Sequence, residues 1–274
     1  MPLEKAAGPL PATLAFKSVL QNIKQNVMIL IIQLPSPLPG LSAVMYCNTS
    51  VDTKAFAEVP GMEITNVVAT LQPEKDQAGT VREIRKMPHV RKAVYLDEVK
   101  IKVEDTEVSS FVMQNYDEKE TRLVYEGRYP AAENEIVLAG ILAERIQKTV
   151  GDTVRVEYGG REETFTVTGL SNGSSMGGLN TCMRTEDFSR LHPDFKPQSL
   201  YIYLDEGIES AAFIDTLRSS FDKETIPAIT DFDKLLAEGM ASYQNIVAAM
   251  GMAMLVITIL VVALVLYFMI SSSV

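Results

Sequence analysis

The spacing of apolar residues changes several times along this chain and ends in a stretch with no polar break. Residues 63–71 read as a strand, with Ile64, Val67, Val68 and Leu71 in a β-rich run. Residues 77–87 read as a helix, because Val81, Ile84 and Met87 recur at helical spacing and Pro88 stops the pattern. Residues 93–103 return to alternation, with Val99, Ile101 and Val103 against Lys100 and Lys102. Together they form one β-α-β unit. A second unit follows late in the chain: a strand over 200–204, a helix over 208–221 carrying Ala212, Phe213, Leu217 and Phe221, and a short strand over 225–229. Two such units around an insertion predict a split α/β subdomain, ferredoxin-like in plan.

The insertion, about 104–190, is expected to be mainly β. Strands are predicted over 108–113 and 122–125, and a short helix over 139–146. A hairpin is expected over 154–158 and 164–168, turning at Gly159-Gly160, where positive φ is tolerated. The run Asn172-Gly173-Ser174-Ser175-Met176-Gly177-Gly178 lacks the Lys-Ser/Thr and the strand–helix context of a phosphate cradle, so it reads as a mobile loop tip.

From Ile246 to Ile270 no residue is charged. A helix of this length spans about 37 Å, against about 30 Å for the hydrocarbon core of a bilayer. Residues 246–270 are therefore expected to be a membrane helix, with 271–274 as a truncated cytoplasmic end. No proline separates this stretch from the helix expected to begin at Asp231, so one helix should run from the domain into the membrane. Ala249 and Ala253, four apart, are a candidate face for close helix packing.

A second apolar stretch lies near the start, from Val27 to Tyr46, interrupted by Pro35, Pro37 and Pro39. Prolines at this spacing do not fit a regular helix interior. Three readings stand: a first transmembrane segment broken in its middle (26–47), a signal peptide, or an amphipathic segment on the soluble side. The first is the working assignment. Residues 1–25, with Leu14, Val19, Leu20 and Ile23 beside Lys17 and Lys24, suggest a cytoplasmic tail with an interfacial helix.

Charge narrows the function. Of 25 basic and 35 acidic residues, Lys5, Lys17, Lys24 and Glu4 fall before residue 48, and none falls after 245. The domain at 48–245 is thus strongly acidic, which disfavours nucleic acid as a partner. Cys47 and Cys182 permit at most one disulfide. His89 and His192 have no Cys or carboxylate at ligand spacing, so no metal site is expected. No Walker A, H-E-x-x-H or G-x-S-x-G motif is present, and no catalytic, cofactor-binding or metal residue is assigned. The chain is not expected to be an enzyme.

One ordered set of motifs points further. Tyr125-Glu126-Gly127-Arg128-Tyr129-Pro130 precedes Asn134-Glu135-Ile136-Val137-Leu138. Leu142-Ala143, Val150-Gly151-Asp152-Thr153-Val154 and Phe165-Thr166-Val167-Thr168-Gly169-Leu170 follow. This order resembles the extracytoplasmic core domain of the FtsX-like (MacB-type) ABC transporter permeases, over roughly 14–270 and most closely over 125–170. Read locally, Gly127 and Pro130 punctuate a turn, Gly151-Asp152 launches the hairpin, and Asn134 is placed to cap a turn; these are structural roles.

The resemblance implies an α+β membrane protein of the bacterial cell membrane, multi-pass, with two membrane segments flanking an extracytoplasmic domain. It implies a cytoplasmic ABC ATPase subunit, a second permease half or copy and membrane lipid as partners, and movement driven by ATP hydrolysis. A peptide, lipid or lipoprotein would be exported or extracted, with no cofactor in this chain. Two other plans share the layout: an extracytoplasmic sensor domain of a membrane receptor, and a membrane-anchored binding module.

Overall fold

The computed structural model describes residues 63–271; the expected tail, the proline-interrupted segment and Cys47 lie outside them. The fold is mixed α+β. In chain order the elements are β1 (Val67–Thr70), α1 (Gln77–Ile84), β2 (Val90–Val103), β3 (Thr106–Met113), β4 (Val124–Gly127), β5 (Glu135–Ala139) and α2 (Gly140–Ile146). Then come β6 (Thr153–Tyr158), β7 (Arg161–Ser171), β8 (Asn180–Arg184), α3 (Thr185–Leu191), β9 (Ser199–Leu204), α4 (Ser210–Ser220), β10 (Ala228–Asp231) and α5 (Phe232–Ser271). The chain divides into two units by contact, one containing Asp52–Gly239 and the other Met240–Val274.

Within the first unit, β10, β1, β9 and the first half of β2 lie in that order, every neighbouring pair antiparallel. Strands β1 and β2 therefore run parallel with β9 between them, which is why a helix must connect them. Helices α1 and α4 cover this sheet: Val81, Ile84, Phe213 and Leu217 join Val67, Ala69, Leu200 and Ile202 in one buried cluster. Asp76 caps α1 by accepting from the Gly79 amide, and the helix ends at Ile84, three residues before the expected end.

Strand β2 changes partner midway. Val90 to Tyr95 pair with β9, and Leu96 to Val103 pair with β3. Asp97 stands just past this changeover, 7 % exposed. Its carboxylate accepts from the amides of Gln198 and Ser199, which lie just before and at the start of β9. Burial pushes its pKa up, while those two amides pull it back.

Beyond Leu96 the strands β2, β3, β8, β5, β7 and β6 hydrogen-bond in a closed circuit, since β6 pairs with both β7 and β2. Each strand contributes to one apolar core: Ile101, Val112, Met183, Leu138, Phe165 and Val156 are all within it, with Leu142 and Phe188 from α2 and α3. Closure removes sheet edges from the ring itself; β4 is appended outside it, on β7. The Gly-Gly hairpin forms as expected, with Gly159 and Gly160 at φ 57° and 80°.

Several sequence expectations are corrected here. The strand expected over 225–229 is displaced to Ala228–Asp231. Asp222 closes a turn on the Thr225 and Ile226 amides, and Pro227 follows. Asp231 is the last residue of β10 rather than the first of the helix; its carboxylate accepts from the Lys234 amide and so caps α5. Asn134 does not cap through its side chain. It takes a left-handed conformation, φ 59°, its amide bonds Asp187, and its carboxamide accepts from Arg190. The run 172–178 contains a short 3-10 turn, and the buried Asn180 carboxamide donates to the carbonyls of Gly173 and Ser175.

Among the described residues, one helix is long and apolar enough to cross a membrane, over Phe232–Leu264, and it is almost wholly exposed over its apolar part.

Candidate functional site

Two polar clusters, one buried around Glu63 and one half-buried around Asn66, tie the approach to β1 to other parts of the domain. Both are built on the four residues 63–66 that lead into β1, and both reach residues distant in sequence.

The first surrounds Glu63. Its side chain is 2 % exposed and meets the Lys119 ammonium, itself 5 % exposed, at 2.5 Å. Isolated charges are not stable at such burial, so the remaining lone pairs need donors. They have them: the Glu120 amide at 2.8 Å, the Thr121 amide at 3.3 Å and the Tyr203 hydroxyl at 2.7 Å. Burial, with the Glu63 carboxylate as the next cause, pushes the Tyr203 phenol well above its ordinary pKa. Lys92 lies over the Tyr203 ring at 4.1 Å and also bonds Glu120 at 3.1 Å. The approach to β1 is thereby tied to the 116–121 segment and to β9.

The second surrounds Asn66, three residues on. Its carbonyl accepts from the Phe232 amide at 2.9 Å, its carboxamide nitrogen donates to Asp233 at 2.9 Å, and its carboxamide oxygen accepts from the Leu204 amide at 2.8 Å. One side chain thus joins the start of β1, the end of β9 and the first turn of α5. Asp231 adds a fourth element, accepting from the Ser210 hydroxyl at the start of α4. Burial raises the Asp233 pKa, Asn66 opposes the rise, and Asp231 adds to it. Phe232 and Leu236 pack on Ile64 and Val68, covering the junction with apolar surface.

The arrangement has no nucleophile–base pair, and among the described residues no group of three His, Cys, Asp or Glu is placed to hold a metal. Cys182 is buried, and burial pushes its thiol up to about 11, which makes it inert at neutral pH. What the arrangement does is join strand ends to a helix start through buried and half-buried hydrogen bonds. Ala249 and Ala253, singled out by spacing, are both exposed on α5. Sequence reading missed Glu63 and Asn66. The only available signal was a carboxylate and a carboxamide bracketing Ile64 and Thr65 just before a β-rich run.

No protein-family model matches the chain, and no curated protein matches it. Among solved structures it is similar to the periplasmic region of MacB from Actinobacillus actinomycetemcomitans, at 12 % identity and a TM-score of 0.45, covering 66 % of this chain and 93 % of that one. It is also similar to the extracellular domain of the noncanonic ABC-type transporter YknZ from Gram-positive bacteria, at 14 % identity and 0.41, covering 61 % and 98 %. A domain assigned to a permease protein of Porphyromonas gingivalis is similar at 16 % identity and 0.36, covering 58 % and 86 %.

Proposed function

We propose that the chain is part of a permease subunit of an ABC transporter of the FtsX-like (MacB-type) kind. In this reading residues 48–245 are the extracytoplasmic domain, with a ferredoxin-like subdomain and an inserted β-rich ring. Residues 246–270 span the membrane, and the proline-interrupted segment at 26–47 is the first span. A cytoplasmic ATPase and a second permease half or copy complete the machine, and a peptide, lipid or lipoprotein is its substrate.

The observation that carries the reading is the passage from β10 into α5. Strand β10 is hydrogen-bonded to β1, and the next residue, Phe232, begins a helix of 40 residues with no break. Its far part exposes Ile246, Met250, Ile257 and Ile259 at 60 % or more. Such a row is costly in water and favourable in lipid. A continuous helix transmits displacement along its axis without a joint, and the Asn66 and Asp231 bonds tie its first turn to the sheet. The ordered motifs over 125–170 support the same family.

Purification from the native membrane in mild detergent tests this. A nucleotide-hydrolysing ABC subunit is expected in the same chromatographic peak. A chain that elutes with no ATPase contradicts the proposal.

A further inference from the structure

A half-open groove of about 560 Å³ lies where the ends of β3, β4 and β8 converge. Its lining includes Arg122, Val124, Gly127, Arg128, Tyr129 and Arg184. Two features coincide there. The first is an edge. Strand β4 pairs with β7 alone, so among the described residues its other side carries no ladder. Unpaired main-chain groups on an edge strand are a template for an added strand.

The second feature is charge. Three guanidinium groups face two lining carboxylates, Asp117 and Glu186, on a protein whose net charge is −10. The three are not equivalent. Arg128 is held in a fork by Glu135, which also accepts from the Ala131 and Ala132 amides, so it forms a fixed wall. Arg184 pairs with Glu186 at 3.0 Å. Arg122 is exposed and, among the described residues, has no carboxylate within ion-pair distance. The groove is also rigid: Tyr129 stacks on Tyr116 with centroids 5.2 Å apart, and its hydroxyl accepts from the Leu123 amide, just before β4.

We propose that this groove binds an extended acidic peptide segment of a partner protein. The peptide's main chain adds to the free edge of β4, and its carboxylates pair with Arg122 and, beside it, Arg184. Guanidinium groups favour carboxylates through paired, charge-assisted hydrogen bonds. An inorganic anion would use the charge but leave the edge unpaired, so the coincidence of the two features selects a peptide. The inference needs only the groove, the edge and Arg122, and does not rest on the transport reading.

The test uses the full chain in nanodiscs of zwitterionic lipid and a fluorescein-labelled octapeptide alternating Glu and Val. Three comparison probes are the same peptide with Lys for Glu, the Glu peptide methylated at alternate backbone nitrogens, and millimolar inorganic phosphate as competitor. Saturable anisotropy is expected with the Glu peptide and none with the Lys peptide. Arg122→Glu, at an exposed position, is expected to leave thermal melting unchanged and to weaken binding about ten-fold or more. Backbone methylation is expected to weaken it about as much. Binding that survives Arg122→Glu overturns the site. Full displacement by phosphate, or equal binding of the methylated peptide, overturns the strand addition and leaves a simple anion site. Binding of Arg122-dependent character to anionic vesicles but not to the peptide assigns the groove to lipid and overturns the proposal.

Discussion

Glu63 and Lys119, 56 residues apart, meet as a buried ion pair at 2.5 Å, and the same carboxylate accepts from two backbone amides and the Tyr203 hydroxyl. A pair so enclosed is costly to break from one side, because the survivor keeps its charge and loses its partner. Lys119→Met is expected to destabilise the domain by about 3 kcal/mol, and the double variant with Glu63→Gln by less than the two single losses combined. Denaturant unfolding followed by tyrosine emission reads this directly, since the chain has no tryptophan.

Asn66 offers a second test. Its carboxamide satisfies the Leu204 amide and the Asp233 carboxylate together. Asn66→Ala leaves both without that partner, an expected cost of about 2 kcal/mol. Hydrogen exchange at Phe232, Asp233 and Lys234 should accelerate, while amides in the core of the β-ring should keep their protection. Unchanged exchange at the start of α5 would remove Asn66 from the junction.

The Arg128–Glu135 fork makes stability depend on acid. The hydrogen bond from Arg128 is the main cause that holds the Glu135 pKa down to about 2, against an ordinary value of 4.5. A depressed carboxylate pKa contributes stability above the unfolded value and loses it as pH falls through the folded one. The loss should therefore develop between about pH 4.5 and pH 2, and Glu135→Gln should flatten that part of the profile. The effect is modest, because the Arg128 side chain is 55 % exposed and solvent screens the pair.

Gly127 is at φ 76°, and a Cβ there would stand 2.1 Å from the Thr168 carbonyl oxygen. Gly127→Ala is expected to cost more than about 1 kcal/mol, seen as a lower melting temperature. Gly151→Ala, at φ 96° with open space around it, meets strain but no clash and should cost less.

The elements legible in the sequence were those with one clean period. Strand β6, much of β7 and the later part of β2 were found because apolar residues there alternate with charged or polar ones, and β9 because Leu200, Ile202 and Leu204 alternate with Tyr201 and Tyr203. Strand β8 and helix α3 were missed. Asn180, Thr181 and Cys182 are all buried, so β8 has no polar-out alternation to read, and α3 is too short, at seven residues, to establish a period. Strand β5 was quoted as part of a motif and not assigned as a strand, since Ile136 to Ala139 is a continuous apolar run buried on both faces. Helix α5 was legible from its apolar length alone. The clamps at Glu63 and Asn66 were not, because each depends on partners 56 to 167 residues away that no local pattern announces.

In the proposed function, movement driven by a cytoplasmic ATPase reaches the sheet through α5. Hydrogen exchange of the chain co-purified with its ATPase, compared without nucleotide and with the hydrolysis cycle trapped, tests it most directly. The account predicts that trapping changes protection at Phe232, Asp233 and Leu204, the amides tied to Asn66, and at Lys234, whose amide is tied to Asp231. Identical protection in the two states, in a complex that hydrolyses ATP, would contradict it.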